Sequence, residues 1–261
     1  MPLDLHGTTT VVTGASSGLG AEFAQVLAAR GSDLVLVARR ADRLAALAQE
    51  LEDGYGVRAH VLPLDLAQDD AVATLTEFLD ARSLAVDSLV NNAGFATSGG
   101  FADADATRLD REVRLNVGAV VALTRALLGP ITASGRGFVL NVSSMAAFQP
   151  IPTMAVYGAT KAFVLSFTQA LAHELRRTGV RVTALCPGPT RTEFFDVAES
   201  PLAASASLQS APEVVAAAIR ALDARRTPSS VVPGALNRFG AGLGRLLPRS
   251  LVVPLAARLT T

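Results

Sequence analysis

Thr8-Thr9-Thr10-Val11-Val12-Thr13-Gly14-Ala15-Ser16-Ser17-Gly18-Leu19-Gly20 is the stretch that decides the fold. A β-branched apolar run, a candidate strand over Thr8–Thr13, leads directly into a glycine turn and then into helical periodicity over Gly18–Arg30. Gly14, Gly18 and Gly20 let the backbone turn tightly and approach a ligand closely. The helix start that follows offers unpaired N–H groups to a phosphate. Ser16, Ser17 and Leu19 occupy the same turn and are candidate contacts with it. The spacing is Gly-x-x-x-Gly-x-Gly, distinct from the Gly-x-Gly-x-x-Gly of the commoner dinucleotide fingerprint.

Moving outward, short apolar runs alternate with longer helical patterns along the chain. Strands are expected at Asp33–Ala38, Arg58–Leu62, Ser88–Asn91, Gly137–Val142, Arg181–Leu185 and near Ser230–Val232. Helices are expected at Ala41–Glu52, Ala67–Ala81, Thr107–Leu128, Tyr157–Thr178 and Pro212–Ala224. The strands are continuously apolar, the pattern of a parallel sheet buried on both faces. Gly31, Gly54 and Gly179 stand where left-handed helix caps are wanted. Together these predict an α/β, Rossmann-type doubly wound parallel sheet of about seven strands with helices on both faces. Residues 1–261 read as a single dinucleotide-binding catalytic domain without linker or repeat.

Bulk properties narrow the function. The 23 basic and 23 acidic side chains balance, which gives no electrostatic case for nucleic acid. One cysteine, Cys186, excludes an intramolecular disulfide framework and suits a reducing compartment. The N-terminus lacks the pattern of a signal peptide, and the longest uncharged stretch, Gly137–Thr160, is broken by Asn141, Gln149, Pro150 and Pro152. A soluble, cytoplasmic protein is expected. His6, His60 and His173 are scattered, and no metal site is expected.

The chain contains one lysine, Lys161, four residues after Tyr157, one of two tyrosines. Helical i and i+4 side chains share a face, so ammonium and phenol can act at one locus. A neighbouring cation favours phenolate, and the expectation is a Tyr157 pKa drawn down towards neutrality. The second strand ends not in an acidic residue but in Arg39-Arg40. No carboxylate there repels a 2′-phosphate, and guanidinium groups bind phosphate through paired hydrogen bonds. This favours NADP(H) over NAD(H).

Further pieces complete a pattern: Asn91-Asn92-Ala93-Gly94 after the fourth strand, Asn116 in a long helix, Ser143-Ser144 after the fifth strand, and Pro187-Gly188 after the sixth. With the glycine turn and Tyr157/Lys161, the chain resembles the short-chain dehydrogenase/reductase family from about Thr8 to Thr192. The resemblance implies a tetrad of Asn116, Ser144, Tyr157 and Lys161. Tyr157 would be the general acid or base at a carbonyl oxygen and Ser144 would polarise that oxygen. Lys161 would hold the nicotinamide ribose, and Asn116 would position a relay water. Ser144 rather than Ser143 is chosen because the family's serine lies 13 residues before the tyrosine. The resemblance also implies cofactor contacts from Asp65, Asn91, Gly94, Pro187, Gly188, Thr190 and Thr192. Homodimers or homotetramers are the family's habit.

Three segments at strand ends should shape a substrate site: Phe95–Phe101, Met145–Met154 and Glu193–Ser210. They carry Phe95, Phe101, Met145, Phe148, Met154, Phe194 and Phe195, with few charges, and suit a lipophilic ketone, aldehyde or acyl substrate. The Ala/Ser-rich run Pro201–Ala211, within a substrate loop over about 190–211, reads as a lid. Beyond Asp223 no acidic residue occurs, and the segment over about 234–261 is basic and amphipathic. It could pack on its own domain, meet another subunit or rest on an anionic membrane surface. Two rival readings stand beside the NADP(H) oxidoreductase. One is an NAD-linked alcohol or hydroxysteroid dehydrogenase, the other a non-catalytic NADP-sensing or scaffolding protein on the same fold.

Overall fold

Runs of Val, Leu and Thr form the strands of the computed structural model. They are β1 (Thr9–Thr13), β2 (Asp33–Ala38), β3 (Ala59–Pro63), β4 (Ser88–Asn91), β5 (Phe138–Val142), β6 (Arg181–Leu185) and β7 (Ser230–Val231). They pair in parallel in the order β3-β2-β1-β4-β5-β6-β7, a seven-stranded sheet. The strand order reverses between β1 and β4, where Val11 stands opposite Leu89 on one side and Val35 on the other. The structure describes residues 2–198 and 208–246, together with 253, 254 and 257. Most of the expected lid, and most of the basic tail after Leu246, therefore lie outside the described residues.

Helices cover both faces, as continuously apolar strands require. α1 (Gly18–Ala28), α2 (Ala41–Tyr55) and α8 (Ala211–Asp223) pack Phe23, Leu27, Leu44, Leu51 and Ile219 against Leu34, Leu36 and Leu140. α3 (Ala71–Asp80), α5 (Val120–Ser134) and α6 (Ala155–Glu174) pack Leu75, Leu127, Ile131 and Leu171 against Val11, Val35 and Val139. Neighbouring strand residues thus serve opposite cores. At roughly 1.5–3 kcal/mol for each fully buried large aliphatic or aromatic side chain, this two-sided burial is the main favourable term holding the layers together. α4 (Ala106–Val113), α7 (Phe194–Ala198) and α9 (Ala235–Leu246) lie around the cleft.

Several boundaries differ from the sequence expectation. The left-handed cap after α2 is Gly56, with φ +69°, while Gly54 is helical; Gly31 and Gly179 do take positive φ. α3 starts at Ala71 rather than Ala67, because Asp65 accepts from the Ala67 N–H and holds the preceding residues in a turn. The long helix spans Ala106–Ser134, through a π-helical turn at Arg114–Ala119 and past Pro130. Among the described residues this one helix has the length and apolar composition to cross a membrane. Leu123, Leu127 and Ile131 nevertheless belong to the sheet core. α9 turns Ala241 inward and leaves Leu236 and Phe239 exposed, so part of the basic tail packs on its own domain, against the turn at Met145–Phe148.

Candidate active site

The glycine turn is built by close approach. Gly14 holds φ +66°, and a Cβ there would stand 2.7 Å from Asn92 Nδ2. A Cβ on Gly20 would stand 2.2 Å from the Gly14 carbonyl oxygen, so α1 presses directly on the turn. Thr13 fixes the far side: its Oγ1 accepts from the N–H groups of Asn92 (2.9 Å) and Ala93 (3.0 Å). Ser17 precedes α1 in extended conformation without capping it, and no acidic residue sits in the first turn. Beside it, Arg40 Nη2 donates to Ser17 Oγ (2.8 Å) and Ser16 Oγ (3.0 Å).

From this turn a cleft of about 690 Å³ runs along the carboxyl ends of the strands to Tyr157, Lys161 and Ser144. A cradle with no room for a Cβ and an uncapped helix N-terminus suit a pyrophosphate. A guanidinium among serine hydroxyls suits a further phosphate. The residues present therefore fit a phosphorylated dinucleotide.

At the other end, Tyr157 and Lys161 lie one turn apart on α6, both buried. Lys161 Nζ donates to the Val142 carbonyl at 2.9 Å and stands 5.7 Å from the Tyr157 ring centre. Ser143 Oγ donates to the Lys161 carbonyl at 2.7 Å, which turns it away from the reacting centre. Ser144 instead accepts from the Ala146 N–H (3.1 Å) and stands by the Tyr157 phenol, whose pKa it draws down.

The phenol's acidity contradicts the sequence expectation. Burial pushes the Tyr157 pKa up to about 12 against the opposing pull of Ser144, and the Glu112 charge adds to the rise. Burial also brings Lys161 down to about 8 against the opposing influence of Cys186 and Glu112. Desolvation outweighs the attraction between ammonium and phenolate, because both groups are removed from water together.

Asn116 sits in the π-helical turn, fully buried. It donates to the Phe95 carbonyl (2.9 Å) and Thr160 Oγ1 (3.1 Å) and accepts from the Phe95 N–H (3.2 Å). Gly94 lies against it: a Cβ there would be 2.8 Å from Asn116 Oδ1 and 3.4 Å from Lys161 Nζ. The π turn brings the amide onto Thr160 of α6, the residue before the lysine, the sort of place where such bulges recur.

The family description "short chain dehydrogenase" matches residues 8–202. The chain belongs to that family. This dehydrogenase is 39% identical over 186 residues to sulfoacetaldehyde reductase 2 of Chromohalobacter salexigens, covering 70% of this chain and 73% of that protein. It superposes on a short-chain dehydrogenase from Sphingobium yanoikuyae in complex with NADPH with TM-score 0.80 and 38% identity, over 92% of this chain and 96% of the other. The bulky-bulky ketone specific alcohol dehydrogenase from Comamonas testosteroni follows at TM-score 0.76 and 33% identity, over 93% and 96%. The chain is thus an oxidoreductase of the alcohol–carbonyl type that uses a nicotinamide dinucleotide.

Most residues expected at the dehydrogenase's site line its cleft: Gly14, Ser16, Ser17, Gly18, Leu19, Arg39, Arg40, Asp65 and Gly94, and then Ser144, Tyr157, Lys161, Pro187, Gly188, Thr190 and Thr192. Gly20 and Asn116 stand just behind the wall. Asn91 does not belong there. Its Nδ2 donates to Thr124 Oγ1 (3.0 Å) and Asn141 Oδ1 (2.9 Å) between the sheet and α5. Its neighbour Asn92 faces the cleft instead, because adjacent residues at a strand end point to opposite sides. Asp65 is engaged by Arg111 Nη2 at 2.8 Å.

Of the expected substrate-side residues, Phe95, Met145, Met154 and Phe194 line the cleft. Phe101 is exposed to solvent, and Phe148 packs with Leu165 and Cys186. The side chain of Phe195 lies outside the described residues.

Three residues escaped the sequence reading. Asn237 of α9 reaches the cleft beside Gly188, where a Cβ would be 2.5 Å from its Nδ2. Glu112, one helical turn before Asn116, is fully buried. Desolvation raises its carboxyl pKa against the opposing influence of nearby Thr97 and the charges of Arg108 and Lys161. Its i−4 spacing from Asn116 was the available signal. Glu193 bridges Arg40 (2.8 Å) and Arg43 (2.6 Å), whose hydrogen bonds hold its carboxyl down to about 2.

Proposed function

We propose that this dehydrogenase interconverts a lipophilic ketone or aldehyde and its alcohol with NADP(H), and that Tyr157 moves the proton at the substrate oxygen. The observation that carries this is the Tyr157 phenol, beside Ser144 on the wall of a cleft whose other end holds Arg40 among serine hydroxyls. When bound, the cofactor supplies or takes the hydride at the carbonyl carbon. The chain's own residues do the rest.

In the reducing direction Tyr157 donates its proton to the carbonyl oxygen, and Ser144 donates a hydrogen bond to the same oxygen as negative charge develops. A phenol held up at about 12 stays protonated at neutral pH, which suits an acid. Lys161, titrating near 8, is the group through which a proton returns to the phenol, with Asn116 fixed beside it. The charge of Arg40 supports a 2′-phosphate and so argues against the NAD-linked reading. Phe95, Met145, Ile151, Met154, Phe194 and Val197 make the substrate wall apolar, with Gln149 and Asn237 as its polar exceptions. That wall supports a bulky lipophilic carbonyl, in keeping with the bulky-ketone selectivity of the Comamonas testosteroni relative.

Tyr157→Phe tests the reading. NADPH oxidation with lipophilic ketones should fall by roughly 10²–10⁴-fold while NADPH affinity stays within about twofold. Retained turnover would remove Tyr157 from the chemistry.

A further inference from the structure

Arg40, on which the preference for NADP(H) rests, already carries an anion drawn from the substrate side of the cleft. Arg40 Nη1 donates to Glu193 Oε2 at 2.8 Å, and Arg43 Nη1 donates to Glu193 Oε1 at 2.6 Å. Arg40 Nη2 meanwhile donates to Ser16 and Ser17. A carboxylate bridged by two guanidiniums beside two serine hydroxyls engages the same donors a sugar phosphate would use.

Glu193 comes from a different segment, the stretch between β6 and α7 that leads into the substrate wall. It follows Thr192, whose methyl group would lie 3.0 Å from a Cβ on Gly18, and it precedes α7. Within α7 the Phe194 ring stands 5.4 Å from the Tyr157 ring, and the Val197 carbonyl accepts from Arg108 at 2.7 Å. The ion pair thus joins the adenosine-side cations to the segment that forms the substrate wall.

We propose that Glu193 is a cofactor-selectivity residue. Its carboxylate occupies the 2′-phosphate seat at Arg40 and Arg43, and an entering 2′-phosphate displaces it. Glu193 thereby sets how tightly NADP(H) is held relative to NAD(H). The inference rests on the NADP(H) reading given above.

Two anions cannot share one guanidinium fork without repulsion, so binding of the phosphate and release of the carboxylate are one exchange. Displacing the carboxylate costs little. The Arg40, Arg43 and Glu193 side chains are 38%, 45% and 44% exposed, and pairs so exposed are worth little in water. A dinucleotide without the 2′-phosphate leaves the bridge intact and gains nothing from its removal.

Calorimetric binding of NADPH, NADH and adenosine 2′,5′-bisphosphate to four proteins tests this: wild type, Glu193→Gln, Arg40→Gln/Arg43→Gln, and the triple variant. Glu193→Gln should tighten NADPH and the bisphosphate by about threefold to tenfold and leave NADH within about twofold. In the background lacking both arginines, the glutamate substitution should have no effect on any ligand. Equal tightening of NADPH and NADH, or the same gain without the arginines, would overturn the proposal in favour of a general charge effect. No gain in a protein that prefers NADPH would refute the competition alone. Equal wild-type affinity for NADPH and NADH, unmoved by the arginine substitutions, would remove the NADP(H) reading itself.

Discussion

An ammonium and a phenol buried together move in opposite directions, and the difference is measurable at the level of single residues. The folded protein carries Lys161 with a pKa near 8, below the ordinary 10.5. Below about pH 8 the fold therefore bears the full cost of a buried cation, and that cost is relieved as the pH rises to 10.5. Lys161→Met should abolish turnover yet stabilise the cofactor-free protein at pH 7 by about 1–2 kcal/mol, after the lost bond to Val142 is allowed for. Denaturant melts at pH 7 and pH 10 check this: the gap between variant and wild type should narrow at the higher pH. The Tyr157/Lys161 pair was legible because helical spacing is local, whereas the sign of the phenol's shift was not, since it depends on packing supplied by other elements. Asn91 and Asn92 show a related limit, because only the strand's pleat decides which of two adjacent amides faces the cleft. Glu193 was legible only as the start of a substrate-side segment, and its ion pair was not, since its partner Arg40 is 153 residues away in sequence.

At the scale of elements, the turn between β1 and α1 is the part with least tolerance. Gly20→Ala places a methyl group 2.2 Å from the Gly14 carbonyl oxygen, and backbone atoms must move to admit it. The expected outcome is a loss of about 1–3 kcal/mol in stability by chemical denaturation, the usual range for overpacking, and at least a tenfold weaker grip on NADPH by titration. The strands were readable almost to the residue, since a run such as Leu34–Ala38 is apolar throughout and bounded by the polar Asp33 and Arg39. Helix ends were less so. The start of α3 waits on an Asp65 turn, and the end of α2 depends on which of two nearby glycines takes positive φ. The π turn around Asn116 has no sequence signature in this chain, because it follows from fitting the long helix against α6.

Across the whole molecule, one carboxylate ties α8 to the end of α1 and to the chain's first residues. Asp223 at the end of α8 accepts from Arg30 Nη1 (2.9 Å) and Nη2 (2.8 Å) after α1, and from the Leu3 N–H (3.0 Å). Arg30 above all, with the Leu3 N–H, holds this carboxyl below its usual range. Its stabilising contribution is present above the ordinary carboxylate pKa of about 4 and is lost as the pH falls through the lower folded value. Asp223→Asn should cost about 1 kcal/mol at pH 7, seen as a lower Tm, and the difference should shrink in acid. The doubly wound order was legible from the alternation of runs, whereas the docking of α9 beside Gly188 was not, because the tail's pattern suited several surfaces equally. The one lysine carries a last consequence. With every other basic side chain an arginine, the outer surface of the described molecule presents no primary amine on any side chain, and the single ε-amine opens onto the catalytic cleft with a pKa near 8. Amine-directed acylating reagents small enough to enter, applied in mildly alkaline buffer, have one side-chain target on this protein, so covalent labelling of lysine becomes a count of working sites.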